Sequence, residues 1–183
     1  MGKGPVDREG RSYRTIRANE NAVQASIGAD NQVGELYARS PMIVEGYHAD
    51  PDATRASMLE GFFSVGDLAR CDARGCYHIE GRKRDMIISG GVNVYPAEVE
   101  AVLHDHPDVA EVAVVGVQDR DWGERVRACV VLRPGARADD GVLKAWCKER
   151  LSGPKVPREF VFLDALPHNP TGKVLKRELR ERE

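Results

Sequence analysis

The chain has 183 residues, 42% of them hydrophobic and 31% charged, with a formal net charge of −2. That length suits one domain, or one domain with a piece of another, and that composition reads as a charged surface around an ordinary core. The near-neutral balance supplies no overall field to recruit nucleic acid or an anionic membrane.

No apolar run approaches the roughly 18 residues that a membrane span needs. Met1-Gly2-Lys3-Gly4-Pro5-Val6 lacks the apolar stretch of a secretion signal, so the cytoplasm is the expected location. Cys71 and Cys76 are spaced too widely for a zinc knuckle, and no second pair follows. Those two, with Cys129 and Cys147, are expected to be free thiols acting as small hydrophobes.

Residues 1–33 are polar and irregular, with Asp7-Arg8-Glu9-Gly10 and Asp30-Asn31-Gln32 as turn signals and Tyr13, Ile16, Val23 and Ile27 available for short strands. Gly34 to Ser40 reads as a short strand. Asp50 can cap a helix that Pro51 opens and Gly61 ends. Phe62-Phe63-Ser64-Val65 leads into Gly66-Asp67-Leu68, and residues 77–80 form another strand. Next comes Gly81-Arg82-Lys83-Arg84-Asp85-Met86-Ile87-Ile88-Ser89-Gly90-Gly91. Four charges in a row cannot be core, and the glycines give the backbone freedom. This polar segment, running through a short apolar stretch into a glycine turn, reads as a joint between two bodies.

After the joint, strands and helices alternate. Pro96 starts a helix with Val99, Val102 and Leu103 on one face and Glu98 and Glu100 near its positive end. Pro107 stops it. Val109 to Val117 is a buried β-branched strand, Asp119 to Glu124 a loop, and Val126 to Leu132 a second strand. Asp140 or its neighbour caps a helix that turns Val142, Leu143, Trp146, Cys147 and Leu151 inward. Phe160 to Leu163 is a third strand, and Leu175 to Glu183 a final charged helix. The expected class is α+β: a small three-stranded sheet with helices over residues 84–183, preceded by a short β-rich segment over residues 1–83.

Single residues carry little chemistry by themselves. A carboxylate at Asp67 can accept two hydrogen bonds from a diol, though taken alone the residue reads first as a turn aspartate after glycine. Gly172-Lys173 is not a phosphate-binding P-loop, because the upstream glycine spacing and the following Ser or Thr are missing. The ordered set is more specific: Gly66-Asp67-Leu68, the joint, Tyr95-Pro96-Ala97-Glu98-Val99-Glu100, and Asn169-Pro170-Thr171-Gly172-Lys173.

From about Gly34 to Arg180, that set resembles the C-terminal part of the adenylate-forming superfamily: AMP-forming acyl-CoA synthetases, peptide-synthetase adenylation domains and beetle luciferases. The resemblance implies a two-step reaction. A carboxylic acid attacks ATP to give an acyl-adenylate and pyrophosphate. A small lid domain then rotates, and the thiol of coenzyme A displaces AMP. It implies that Asp67 and Arg82 hold the AMP ribose, and that Lys173 bridges the carboxylate and the α-phosphate. The hinge falls at Arg84, where the family usually has Asp or Lys; the neighbouring Asp85 leaves the pivot open between the two. Gly90 and Gly91 would press on the pantetheine arm, Trp122 would lie near it, and Lys155 and Arg158 would meet the nucleotide phosphates of coenzyme A. Val65 stands where the family usually has threonine, which removes one hydroxyl near the nucleotide.

The resemblance also says what to expect outside this segment. The phosphate loop, the acyl and adenine pockets and the glutamate that helps hold Mg2+ belong to a large N-terminal domain, so no metal ligand is expected here. Met1 then falls inside that domain, as in a fragment or a split reading frame. The expected whole is a freestanding CoA ligase for a fatty or small organic acid. The alternative is a non-catalytic binding or complementation module that docks on a separate large domain. An in-frame Gly/Ser/Thr-rich loop upstream of Met1 would favour the first, a stop codon the second. Nucleic-acid binding is not expected of the last helix, where Glu178, Glu181 and Glu183 dilute the basic residues. By itself the chain should show no acid-dependent ATP–pyrophosphate exchange; exchange by this chain alone would overturn that expectation.

Overall fold

A computed structural model describes residues 32–40, 44–59, 61–74 and 76–182. The turn signals near Asp7 and Asp30 and the apolar Tyr13, Ile16, Val23 and Ile27 lie outside the described residues, as does Glu183. The chain divides into two compact units, the first ending at Arg84 and the second spanning Asp85–Glu183.

The first unit is built on one long strand. β1 (Gly34–Ala38), β2 (Met58–Leu59) and β4 (Tyr77–Arg82) all pair antiparallel with β3 (Phe62–Cys71). Helix α1 (Pro51–Ser57) starts as its sequence requires: Asp50 Oδ1 accepts from the Ala53 amide at 2.9 Å, and Pro51 sits in the first turn. The helix stops at Ser57 rather than at Gly61, because Met58 and Leu59 leave it to pair with Phe63 and Phe62. A small apolar cluster of Ala69 and Cys71, with Leu36 and Tyr77 against it, anchors this sheet.

The second unit holds a five-stranded sheet, not three-stranded. The hairpin of β7 (Val109–Asp119) and β8 (Gly123–Leu132) is its spine, in register from Glu111↔Val131 to Asp119↔Gly123, with a shift between Val109 and Glu111. β9 (Glu159–Phe162) joins β8 in parallel. The two strands that the sequence pattern did not announce are β5 (Ile87–Ser89) and β6 (Val92–Val94), a hairpin around Gly90-Gly91 that meets β8 at Ser89↔Gly123. Three residues are too few to display an alternation.

Val109 to Val117 reads as a continuous apolar run because both of its faces are covered. On one face, Val114, Val126, Val130 and Phe160 pack with Val99 and Leu103 of α2 (Pro96–His104) and with Leu143 and Cys147 of α3 (Asp140–Lys148). On the other, Ala113, Val115 and Cys129 pack with Leu166 and with Leu179 of α4 (Lys176–Glu181). Of Asp140 and its neighbour, it is Asp139 that caps α3: its Oδ1 accepts from the Val142 amide at 2.9 Å. Trp146 Nε1 donates to the Val102 carbonyl at 2.7 Å and ties α3 to α2.

All four cysteines are free thiols; Cys76 is exposed and the other three are buried. Burial pushes the Cys147 thiol up to about 11, which keeps it protonated and unreactive. No helix among the described residues is long and apolar enough to cross a membrane.

The α3 face can be tested directly. Leu143 is fully buried and its neighbour Val142 is 47% exposed. Leu143→Ala should cost about 2–5 kcal/mol in urea unfolding, whereas Val142→Ala should stay within about 0.5 kcal/mol of the parent.

Candidate functional site

The candidate residues lie in the first unit, at the joint and in the second unit. In the first unit, the β3–β4 register sets Asp67 directly opposite Arg82. Arg82 Nε lies 3.0 Å from Asp67 Oδ1, and its Nη1 donates to the Val65 carbonyl at 2.9 Å. The guanidinium thus braces one carboxylate oxygen of Asp67. Behind them, Ser64 Oγ donates to Glu35 Oε1 and accepts from the Gly66 amide. Burial pushes the Glu35 carboxyl up, but hydrogen bonds from Lys83 and Ser64 outweigh it and hold the group below its ordinary value.

The joint itself is a short 3-10 turn, Lys83–Asp85. Lys83 Nζ is 2.7 Å from Glu35 Oε2 in the first unit, and Asp85 Oδ1 is 2.7 Å from Arg180 Nη2 in the second. Arg84, between them, is exposed and makes no side-chain hydrogen bond or ion pair among the described residues.

Three of the expected coenzyme contacts meet in one stack in the second unit. The Gly90 amide donates to the Trp122 carbonyl at 2.9 Å. The Trp122 ring lies so close that a Cβ on Gly90 would stand 2.6 Å from it. On the same ring, the Arg158 guanidinium sits 3.6 Å from the centroid, a cation–π contact. Gly91 continues the turn, with open space where a side chain would be. Lys155 stands apart from this stack in its pairing: its ammonium is 2.7 Å from both oxygens of Glu98. A cation already neutralised in this way offers less to an incoming phosphate than its sequence position implies.

Lys173 lies on the exposed loop between β9 and α4, and its ammonium has no partner among the described residues. The loop is nevertheless well built. Asn169 Oδ1 accepts from the Thr171 amide at 3.0 Å, the Thr171 hydroxyl at 2.8 Å and the Lys173 amide at 2.8 Å. The Asn169 amide donates to the Lys173 carbonyl at 2.8 Å. Beyond the loop, Lys176 pairs with Glu100 and Arg180 with Asp85.

Arg127, 3% exposed, ends the arrangement: it donates to the Leu179 and Arg182 carbonyls and pairs with Glu159. Burial pushes the Glu159 carboxyl up; bonds from Arg127 and Arg125 outweigh it and hold it below the usual range. Sequence reasoning gave no role to Asn169, Arg127 or Glu124. The signal for Arg127 was present: a single arginine interrupts the otherwise apolar run Val126–Leu132. Among the described residues, no group of three or more His, Cys, Asp or Glu side chains is arranged to hold a metal ion. No step is assigned to a metal held by these residues.

The Gly90–Trp122 contact predicts a coupled pair. Gly90→Ala drives a methyl into the ring and should cost at least about 1 kcal/mol more in urea unfolding than Gly91→Ala, where strain at positive φ acts alone. Adding Trp122→Ala should recover most of that difference; equal costs at both glycines would refute the contact.

Residues 98–173 match the AMP-binding enzyme C-terminal domain family. The 2-succinylbenzoate–CoA ligase of Geobacillus kaustophilus is 45% identical over 152 residues, which cover 83% of this chain and 31% of that protein. A feruloyl-CoA synthase of Amycolatopsis is 46% identical over 149 residues, covering 81% and 30% respectively. Among solved structures, o-succinylbenzoate CoA synthetase (MenE) from Bacillus subtilis, in complex with the acyl-adenylate intermediate OSB-AMP, superposes with a TM-score of 0.80. It is 35% identical over 94% of this chain and 34% of that one. The chain thus spans about a third of the length of the relatives it matches. With the sequence match, the mixed α+β architecture and these relatives in agreement, residues 98–173 carry an AMP-binding enzyme C-terminal domain, and the chain around them is similar to the C-terminal part of CoA ligases of the adenylate-forming superfamily.

Proposed function

We propose that this chain is the C-terminal segment of an AMP-forming carboxylic acid–CoA ligase, working in the cytoplasm with a large N-terminal adenylation domain. Residues 1–83 complete that large domain, and residues 84–183 form the lid that turns about Arg84 and Asp85. The observation that carries the reading is the Lys173 ammonium, without a partner among the described residues, on a loop whose Thr171, Gly172 and Lys173 amides are all bonded to Asn169.

In the first step, a carboxylate oxygen of the acid attacks the α-phosphorus of ATP. The bond from that phosphorus to the bridging oxygen breaks, and pyrophosphate leaves. Negative charge crowds between carboxylate and phosphate, and Lys173 is the cation that offsets it. A unit charge about 4 Å away is worth about 1 kcal/mol in water, and about 4 kcal/mol at an effective dielectric near 20. The second figure corresponds to about three orders of magnitude in rate. Lys173 is therefore useful only when enclosed over a nucleotide that this chain does not hold alone. Asp67, braced by Arg82, accepts from the ribose hydroxyls and fixes the adenylate.

In the second step, the sulfur of coenzyme A, its proton lost, attacks the acyl carbon. The bond from that carbon to the phosphate oxygen breaks, and AMP leaves. The Gly90-Gly91 turn borders the path of the thiol arm, with Trp122 behind it. Arg158, and Lys155 when released from Glu98, face the coenzyme phosphates. Mg2+ would be held by the large domain. The acid is fatty or a small organic acid; the named relatives act on different acids, so the pocket that selects it belongs to the missing part.

Lys173→Ala in the intact enzyme tests the reading. Adenylation should fall by about three orders of magnitude, while thioester formation from supplied acyl-AMP stays near the parent rate. Equal loss in both steps would overturn the assignment.

A further inference from the structure

We infer that Glu124 is a positioning residue that holds the Gly90-Gly91 turn in the shape the thioester-forming step requires. The inference rests on the reading of that turn as the border of the thiol path.

β5 is a three-residue strand, and only Ser89↔Gly123 connects it to β8. One ladder contact does not fix a hairpin edge. Glu124 extends the seam: its Oε2 accepts from the Ile88 amide at 2.8 Å. A carboxylate oxygen thereby does what the next backbone carbonyl would do in a longer strand, and a charged acceptor makes the stronger bond. As part of the Ser89↔Gly123 bridge, the Gly90 amide donates to the Trp122 carbonyl. The strand entering the turn is thus held at Ile88 and at Gly90 by two residues of the same 119–124 segment.

That segment is firm in its own right. Asp119 Oδ1 accepts from the Asp121 and Trp122 amides at 3.0 and 3.1 Å. Arg125 Nη1 donates to the Gln118 carbonyl at 3.1 Å. Room for the Glu124 side chain is made by an absent one: a Cβ on Gly116 would stand 2.7 Å from Glu124 Oε1 and 3.1 Å from Ile87 Cγ2. Gly116 has no positive φ to explain it. Its role is the space it leaves.

Two substitutions should therefore share one phenotype. Glu124→Ala removes the acceptor, and Gly116→Ala pushes it aside. In this chain as it stands, both should speed amide hydrogen exchange at Ile88 and Gly90 by about tenfold, the order of one lost hydrogen bond. In the enzyme assembled with its large domain, both should lower kcat for thioester formation from supplied acyl-AMP by about tenfold. Adenylation should stay within about twofold. Glu124→Gln keeps a side-chain oxygen acceptor and should restore both readouts toward the parent. Adding Gly116→Ala to Glu124→Ala should bring no further loss of thioester formation. Unchanged exchange at Ile88 in Glu124→Ala would overturn the inference. So would faster exchange with thioester formation intact, or equal loss in both half-reactions. Failure of the functional reading is seen separately, in Lys173→Ala with Glu124 unaltered.

Discussion

The β7–β8 hairpin is apolar on both faces, and neither face can stay in water. Val114, Val126 and Val130 point one way, Ala113, Val115 and Cys129 the other, and all are buried. Covering the first face takes the amphipathic helices α2 and α3. Covering the second takes the chain's end, with Leu166 and Leu179 as its anchors. Burial at roughly 25 cal/mol per Å2 of apolar surface makes both coverings favourable, so the segment that carries Lys173 is strung between two of the sheet's buried contacts. The position of the ammonium follows from hydrophobic demand elsewhere.

Electrostatics refines what burial sets. Arg127 is almost wholly enclosed and turns its donors to the last carbonyls of α4 and to Glu159. A buried guanidinium needs acceptors for its donors, and helix ends leave carbonyls free to accept; Nη1 and Nη2 of Arg127 find them, while its Nε has no partner among the described residues. In the Lys173 loop, Asn169 occupies the backbone donors of Thr171 and Lys173. This leaves the side-chain ammonium as the group with nothing to do locally. Lys155 shows the contrast, its charge held by Glu98.

Much of this was legible. Runs of β-branched residues marked β7 and β8, Pro96 marked the start of α2, and Asp50-Pro51 marked that of α1. The motif order pointed to the family, and Asp67 with Arg82 and Gly90 with Trp122 are neighbours in space. The misses share a cause. β5 and β6 are too short to show a period. The α1 end turned on a partner strand, with Met58 leaving the helix to pair with β3. Glu124 and Arg127 work through partners 36 and 52 residues away, and no local pattern encodes a partner at that distance.

From composition and spacing came the α+β class, the alternation after the joint and the free thiols, because each depends on period, turn chemistry or charge within a short window; the candidate residues came from the resemblance that the ordered motifs carry. Only the tertiary structure decided which of those residues are braced, stacked, neutralised or left unpaired. Those properties depend on register between strands and on side chains meeting across the sheet. A linear pattern shows that a lysine is present, and packing determines whether its charge is free to be used.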